Sequence, residues 1–178
     1  ETMGLLKKIF KPVSIPEHVH CLKVESASDM LDACLPLLPD CDIFIACAAV
    51  ADYRPAEVQP DKIKKGAEEI NLRLVRNPDI VSAVAASEYR PFTVGFAAAT
   101  RDLLTYARDK MRRKGLDMIV ANDVSRQGIG FNSEDNEVTI LSHHAEQALP
   151  RASKTTLAGQ IIDAVASAAV RDTDAGLS

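Results

Sequence analysis

The sequence has no tryptophan, and its three tyrosines and five phenylalanines make aromatic residues only 4% of the 178. Few aromatic rings leave few platforms on which single-stranded bases can stack. The net charge of −4 likewise gives no basic surface for a nucleic-acid backbone. No apolar run approaches the roughly 20 residues that a membrane span needs, and the first residues lack the apolar stretch of a secretion signal. We therefore expect a cytoplasmic protein with no nucleic-acid partner and no membrane partner.

The four cysteines and four histidines show no C-x-x-C pair and no spacing of the secreted disulfide type. His18, His20 and Cys21 are close in sequence, but structural zinc sites need two pairs of ligands that converge from separate turns. Neither a Ser/His/Asp set nor a Cys/His/Asn set is recognisable, which leaves covalent nucleophilic catalysis without support. We expect reduced cysteines, and the sequence assigns no metal ligand.

Strand-like and helical segments alternate, which predicts an α/β fold: a mostly parallel sheet with helices on both faces and a small antiparallel edge extension. We place one domain at 12–170, between an atypical segment at 1–11 and a tail at 171–178 that we expect to be disordered. Strands are predicted at His20–Val24, Asp42–Val50, Ile70–Arg76, Thr93–Ala98 and Leu116–Ala121, with an edge strand ending at Leu141. Helices are predicted from Ser26 or Ser28 to Leu38, from Asn77 to about Glu88, from Asp102 to Lys114 and from Lys154 to about Ala169.

The near-continuous apolar run Asp42–Val50 is typical of a central parallel strand that is covered on both faces. The polar segment after it, Ala51–Lys65, leaves the carboxyl end of that strand, where open α/β sheets bind ligands. Its lysines Lys62, Lys64 and Lys65 suit a polyphosphate, because ammonium groups on a loop can follow charge that develops on a leaving pyrophosphate. The alternative interpretation is a solvated basic turn.

Two further segments suit phosphates. Asn77 is predicted to cap a helix with Pro78 at its first position, so that free backbone N–H groups there can bind an anion. Lys110 and Lys114 are four residues apart and share one helix face, which is equally typical of a basic surface helix. Asp52 follows the buried strand and can bind Mg²⁺, accept hydrogen bonds from a sugar or base, or cap a turn.

Six motifs, taken in order from about Pro12 to about Val165, resemble those of the bacterial phosphopantothenate–cysteine ligases, also called phosphopantothenoylcysteine synthetases. They are Ala48-Ala49-Val50-Ala51-Asp52-Tyr53-Arg54, Lys62-Ile63-Lys64-Lys65, Asn77-Pro78-Asp79-Ile80-Val81, Gly95-Phe96-Ala97-Ala98, Ala121-Asn122-Asp123-Val124 and Gly130-Phe131-Asn132-Ser133. The lysine motif is more similar to the CTP-using bacterial form than to the ATP-using eukaryotic form.

The resemblance implies a step of coenzyme A biosynthesis in a Rossmann-like, Mg²⁺-dependent homodimer. In that step CTP activates the carboxylate of 4'-phosphopantothenate as an acyl cytidylate, and the amine of L-cysteine then displaces CMP to form an amide. Lys62 would stabilise charge as pyrophosphate leaves. Nucleotide contacts would fall on Ala46, Cys47, Ala48, Asp52, Lys62, Pro78, Asp79, Ile80, Val81, Phe96, Lys110 and Lys114.

The sequence departs from the family pattern in two places. Ala99 stands where the family commonly has a glutamate, which removes one carboxylate near the nucleotide. The family's N-terminal strand, its Gly-rich turn and the segment with the asparagine that holds the acyl cytidylate have no counterpart in the sequence. We therefore weigh a second hypothesis, a truncated, non-catalytic module of the same family that binds nucleotide and dimerises.

A third hypothesis, a dinucleotide oxidoreductase, is disfavoured because no Gly-x-Gly-x-x-Gly follows a predicted strand. For the dimer contact, the edge-like segments Asn71–Arg76 and Glu137–Leu141 are the candidates.

Overall fold

The computed structural model describes residues 15–57, 69–99, 102–123 and 135–175. Helices within these ranges are α1 (Ala27–Cys34), a 3₁₀ helix (Leu35–Asp40), α2 (Ile80–Ala85), α3 (Leu103–Lys114) and α4 (Lys154–Ala175). The strands are β1 (Ile43–Ala46), β2 (Tyr53–Pro55), β3 (Leu74–Arg76), β4 (Phe92–Ala99), β5 (Met118–Asp123), β6 (Asp135–Ser142) and β7 (Glu146–Ser153).

Five of these strands form one mixed sheet in the order β1-β4-β5-β6-β7. The β1–β4 and β4–β5 pairs are parallel, and β6 and β7 are added antiparallel. Strands β2 and β3 form a separate antiparallel ribbon, in which Tyr53 lies opposite Arg76. The predicted α/β class, with parallel central strands and a small antiparallel extension, is confirmed.

Alternate side chains of β5 explain why helices cover both faces of the sheet. Met118 and Val120 point to the core that α4 covers, where Leu157 and Val165 are buried. The intervening residues of β5, Ile119 and Ala121, point to the opposite core, which α3 covers with Ala107 and Met111. This period of two is the pattern of a strand buried on both sides.

Helix ends follow the local sequence closely. Ser26 begins α1 with a capping box: its side chain accepts a hydrogen bond from the Asp29 N–H at 3.1 Å, and the Asp29 carboxylate accepts from the Ser26 N–H at 2.9 Å. Gly115 ends α3 with φ of 65°, in the left-handed region that glycine adopts without steric cost. Both predicted ends are confirmed, and Ser26 rather than Ser28 is the cap.

The strand predicted at His20–Val24 is absent: these described residues are irregular, and Leu22 is 62% exposed. A strand needs a neighbour to satisfy its backbone, and within the described residues β1 pairs only with β4. The prediction that the Asp42–Val50 run forms a central strand is wrong for the same reason. β1 spans only Ile43–Ala46 at the sheet edge and is partly exposed.

Strand β6 was predicted as an edge strand, but it lies between β5 and β7. The dimer contact predicted at Glu137–Leu141 therefore cannot form by strand addition to β6. The edge strand is β7, which was not predicted because it contains Pro150. Proline is tolerated there because an edge strand need not donate every backbone N–H. Helix α4 continues past Arg171 to Ala175, into the predicted tail, and residues 176–178 lie outside the described ranges.

Candidate functional site

The candidate site is built at the carboxyl ends of β1 and β4. Ala46 ends β1 opposite Gly95, so the chain leaves the sheet next to Phe96. Cys47 and Ala48, which follow Ala46, are exposed. In an open α/β sheet this end of the parallel strands is the place where ligands bind.

Helix α3 brings Lys110 to the same end of the sheet. Its Nζ donates a hydrogen bond of 2.6 Å to the carbonyl oxygen of Phe96. Partial burial, together with the positive charge of Lys114, lowers the pKa of Lys110, while the carboxylates of Asp79 and Asp52 act in the opposite direction. An ammonium group has three N–H donors, and the Phe96 carbonyl accepts from one of them, so the others can be offered to an anion.

One turn further along α3, Lys114 reaches the start of α2. Its Nζ lies 3.0 Å from both carboxylate oxygens of Asp79. Although partial burial raises the pKa of Asp79, the hydrogen bonds from Lys114 and from Ser82 outweigh it and hold that pKa below its ordinary value. The ion pair thereby ties α3 to the residue at which α2 begins.

The cap of α2 differs from the prediction. Asp79, not Asn77, is the N-cap, since its Oδ1 accepts a hydrogen bond from the Ser82 N–H at 3.2 Å. Pro78 therefore precedes the cap instead of occupying the first helical position, and α2 ends at Ala85, not near Glu88. Aspartate and asparagine are equally good N-caps, and here it is Asp79 whose side chain lies within hydrogen-bond distance of a free N–H of the helix. The Asp79 carboxylate already satisfies one N–H of the helix start that we expected to bind an anion.

Asn77 instead joins the segment after β1 to the segment before α2. Its backbone N–H donates to the Asp52 carbonyl at 2.9 Å, and its side-chain Nδ2 donates to the Ala51 carbonyl at 2.7 Å. Arg54 donates from Nη1 to the Asn77 Oδ1 at 3.1 Å and to the Arg76 carbonyl at 2.7 Å. These bonds hold Asp52 beside Pro78 and Asp79.

No cluster of three or more histidine, cysteine, aspartate or glutamate side chains within the described ranges could hold a metal ion. All four cysteines are free thiols. Burial raises the pKa of the Cys34 thiol and of the Cys41 thiol, which keeps both protonated and unreactive. Cys21 and Cys47 are the two exposed thiols.

An open groove of about 420 Å³ lies elsewhere, between α4 and the antiparallel part of the sheet. Met118, at the amino end of β5, lines it together with Asp163 and Arg171. The parallel strands point away from this groove, so it is separate from the end of the sheet that carries Lys110. We place the candidate site with the lysines, because Lys110 lies at the carboxyl ends of the parallel strands, within electrostatic reach of Asp52 and Asp79.

A family profile described as the DNA/pantothenate metabolism flavoprotein C-terminal domain matches residues 8–169. The chain belongs to this family. Proteins of the same kind include the coenzyme A biosynthesis bifunctional protein CoaBC of Vibrio vulnificus (strain CMCP6), 50% identical over 156 residues. That of Escherichia coli (strain K12) is 44% identical over 160 residues. These alignments cover 85% and 86% of this chain but only 39% of each relative.

Two crystal structures share the fold of this chain. The C-terminal domain of a coenzyme A biosynthesis bifunctional protein CoaBC superposes with a TM-score of 0.70 at 31% identity, covering 91% of this chain and 70% of that one. The DNA/pantothenate metabolism flavoprotein from Streptococcus pneumoniae gives a TM-score of 0.71 at 20% identity, covering 89% and 76%. The predicted Rossmann-like fold is confirmed.

The structure brings together most of the residues that the resemblance assigned to the nucleotide. Ile80 is buried, and Val81 packs against the core under α3, so their side chains serve packing and leave only backbone groups for a ligand. Lys62 lies outside the described residues, as do Lys64 and Lys65. The residues that lie around the ends of β1 and β4 are Ala46, Cys47, Ala48, Asp52, Pro78, Asp79, Phe96, Lys110 and Lys114.

The sequence analysis assigned no separate role to Arg54, and it wrongly assigned Asn77 as the cap of a helix. The Asn-Pro dipeptide carried a usable signal, because a residue before proline is held in an extended conformation. An extended Asn77 continues β3 and meets the residue before β2, so its partners lie across the ribbon and not in the helix.

Proposed function

We propose that this domain is the ligase part of a phosphopantothenate–cysteine ligase of coenzyme A biosynthesis. It uses CTP to activate the carboxylate of 4'-phosphopantothenate, and then joins the acyl group to the amine of L-cysteine. The support is the family membership together with one observation. Lys110 and Lys114 stand beside the ends of β1 and β4, within electrostatic reach of Asp52 and Asp79.

The chemistry consists of two displacements. A carboxylate oxygen attacks the α-phosphorus of CTP, and the bond to the β-phosphate oxygen breaks to release pyrophosphate. The cysteine amine then attacks the acyl carbon, and CMP leaves as the amide forms. Both steps move negative charge onto phosphate oxygens, so fixed cations placed where that charge develops lower the barrier.

Each residue has a role in this proposal. Lys110, held by the Phe96 carbonyl, supplies a fixed positive charge near the triphosphate. Lys114 shares its charge with Asp79 and keeps the start of α2 in place. Lys62, from the Lys62-Ile63-Lys64-Lys65 motif, stabilises the departing pyrophosphate. Backbone groups of the segments Ala46–Ala48 and Pro78–Val81 contact the nucleotide.

Mg²⁺ fits this site only with the help of the nucleotide. The ion prefers six oxygen ligands and is commonly held by one or two carboxylates plus substrate phosphates. Asp79 is already engaged by Lys114 and Ser82, which leaves Asp52 as the carboxylate of the site that would hold the ion. Bound there, Mg²⁺ would neutralise charge on the phosphates.

The direct test is pyrophosphate release by the 178-residue chain given CTP, Mg²⁺ and 4'-phosphopantothenate, with ATP in place of CTP as the comparison. We expect release with CTP and little with ATP. Lys62→Ala should reduce the rate at least 100-fold, roughly the loss seen when one group that stabilises transition-state charge is removed. Lys154→Ala, an exposed lysine at the start of α4, is the matched control and should leave the rate unchanged.

A non-catalytic module that binds nucleotide and dimerises is the alternative. The residues that follow β1, Cys47 and Ala48, are exposed, so the described residues cover only one side of a nucleotide there. CTP binding in a calorimeter without pyrophosphate release would support this alternative. Absence of CTP binding would contradict both.

We further propose that the domain works as a homodimer in the cytoplasm, as the resemblance implies. The exposed ribbon of β2 and β3 remains a candidate contact, since Leu74 is 54% exposed. Sedimentation equilibrium of the unsubstituted chain and of Leu74→Lys tests both points: a dimer that Leu74→Lys dissociates is expected. A monomer at micromolar concentration would contradict the proposal. In the described residues no helix is long and apolar enough to cross a membrane.

A further inference from the structure

The ribbon of β2 and β3 has almost no core of its own. Tyr53 is 53% exposed and Leu74 is 54% exposed, and all of β2 is exposed. A two-stranded ribbon without a hydrophobic face is marginally stable in water. Within one chain, hydrogen bonds rather than packing must therefore fix how this ribbon, and the segment that joins it to β1, lies against the sheet.

Asn77 is placed to do so. It extends the β2–β3 ladder by one residue through its N–H bond to the Asp52 carbonyl, and its amide extends it again to the Ala51 carbonyl. The same amide uses its oxygen to accept from Arg54. Both ends of the side chain are thus engaged, which an aspartate or an alanine at this position could not reproduce.

The Asn77 bonds matter for the candidate site because they set the position of Asp52. Asp52 and Asp79 both act on the charge of Lys110, so they and the lysine form one electrostatic group. Asp79 is fixed to α3 by Lys114, whereas Asp52 is fixed relative to Asp79 through Asn77. Loss of the Asn77 side-chain bonds, to the Ala51 carbonyl and from Arg54, would leave the backbone bond to the Asp52 carbonyl as the remaining link through Asn77, so that the Asp52 carboxylate could move while Asp79 stays in place.

We infer that Asn77, with Arg54, is a positioning residue for the nucleotide: it holds the Ala46–Asp52 segment against the start of α2 and does not itself contact the reacting atoms. This inference rests on the proposed function for its ligand, CTP. The clamp that Asn77 forms between the two segments is a structural claim and does not depend on the proposed function.

The experiment has two readouts on the whole 178-residue chain. Asn77→Ala should speed amide hydrogen exchange in the segment 47–57 while exchange in β4 stays unchanged. It should also raise the Kd for CTP, measured by calorimetry with Mg²⁺, roughly ten-fold, as expected for the loss of two hydrogen bonds. Glu88→Ala, at an exposed residue beyond the end of α2, is the control and should change neither readout.

A double-mutant cycle separates positioning from a general structural role. If Arg54 and Asn77 act as one clamp, Arg54→Ala combined with Asn77→Ala should weaken CTP binding no more than Asn77→Ala alone. Additive losses would overturn the inference of one shared clamp, because Arg54 would then act through something other than its bond to Asn77, such as its bond to the Arg76 carbonyl. The midpoint of thermal unfolding should change little in either variant, since the ribbon contributes little to the core.

The remaining outcomes are also decisive. Unchanged exchange in 47–57 of Asn77→Ala overturns the clamp, and faster exchange with unchanged CTP affinity overturns its role in binding. If the unsubstituted chain binds no CTP at all, the proposed function fails. The hydrogen-exchange experiment needs no nucleotide, so it distinguishes a failure of the proposed function from a failure of the clamp.

Discussion

Asp117 is the buried charge on which we expect the stability of the sheet to depend most. It precedes β5, and its side chain is 8% exposed. Its Oδ2 accepts a hydrogen bond of 2.7 Å from the buried Thr93 N–H, and its Oδ1 pairs with the Arg90 guanidinium. It therefore joins the amino end of β4 to the start of β5. We predict the effect of Asp117→Ala on the free energy of unfolding.

The magnitude follows from what each partner loses. Thr93 is fully buried, so its N–H would lose its side-chain acceptor, at a cost of about 1–3 kcal/mol. The Arg90 side chain is 42% exposed and can turn to water, so its loss costs at most about 1 kcal/mol. Asp117→Ala should therefore destabilise by about 3 kcal/mol, or roughly 6–12 °C in Tm for a domain of this size. Asp117→Asn keeps an acceptor for Thr93 and should lose only about 1 kcal/mol.

Urea denaturation followed by circular dichroism measures these differences. Asp109→Ala is the matched control, because the Asp109–Arg112 pair joins an acid 50% exposed to a base 78% exposed. Exposed pairs of this kind contribute about 0–1 kcal/mol, so the control should stay near the unsubstituted chain. If Asp117→Ala costs no more than Asp109→Ala, the Thr93 bond does not carry the stability assigned to it.

Further predictions concern two glycines and two charged residues. Gly95→Ala should lower the free energy of unfolding by about 1–3 kcal/mol, because the new Cβ would lie 2.6 Å from Cδ1 of the buried Leu116. Gly159→Ala should raise it by about 0.5–1 kcal/mol, because the space around this position in α4 is open and alanine favours a helix. The denaturant midpoints of both variants test this. The ionised Asp79 carboxylate contributes stability above its ordinary pKa of 3.8, and this contribution is lost as pH falls through the lower pKa of the folded state. The difference in free energy of unfolding between the unsubstituted chain and Asp79→Asn should therefore shrink in acid. A difference that does not change with pH would contradict the role of the ion pair. Lys110→Met should weaken CTP binding at least ten-fold in calorimetry while the fold persists by circular dichroism, and equal affinity would remove Lys110 from the site.

Local rules were enough to predict much of the fold. The Ser26-x-x-Asp29 pattern marks a capping box, and the hydrogen bonds that define it involve only neighbouring residues. Strand β5 was predicted from its apolar run, at Leu116–Ala121, and spans Met118–Asp123 in the structure. It pairs on both sides and is buried on both faces, so its surroundings match its composition. Gly115 ends α3 because few other residues adopt its backbone angles.

Predictions that depended on neighbours in space were less reliable. The apolar composition of β1 indicates burial, but whether a strand is central depends on how many strands flank it, which one sequence segment does not specify. Asn77 shows the same limit for the site, since its preference for helix caps is real and was overridden by partners 25 and more residues away. The lysines were predicted because charge and helical spacing are properties of the chain itself.

The two halves of the sheet differ in how far apart along the chain their partners lie. Leu141 pairs with Glu146 across a tight turn, whereas Ile43 pairs with Phe92 only after the chain has passed through β2, β3 and α2. Loops of greater length close more slowly, and non-local pairing is the slow part of folding. During refolding from urea, the β6–β7 hairpin should therefore form first and the docking of β1 last. The capacity to bind CTP should return after most of the circular dichroism signal, so newly made chains would acquire their fold before their ligand.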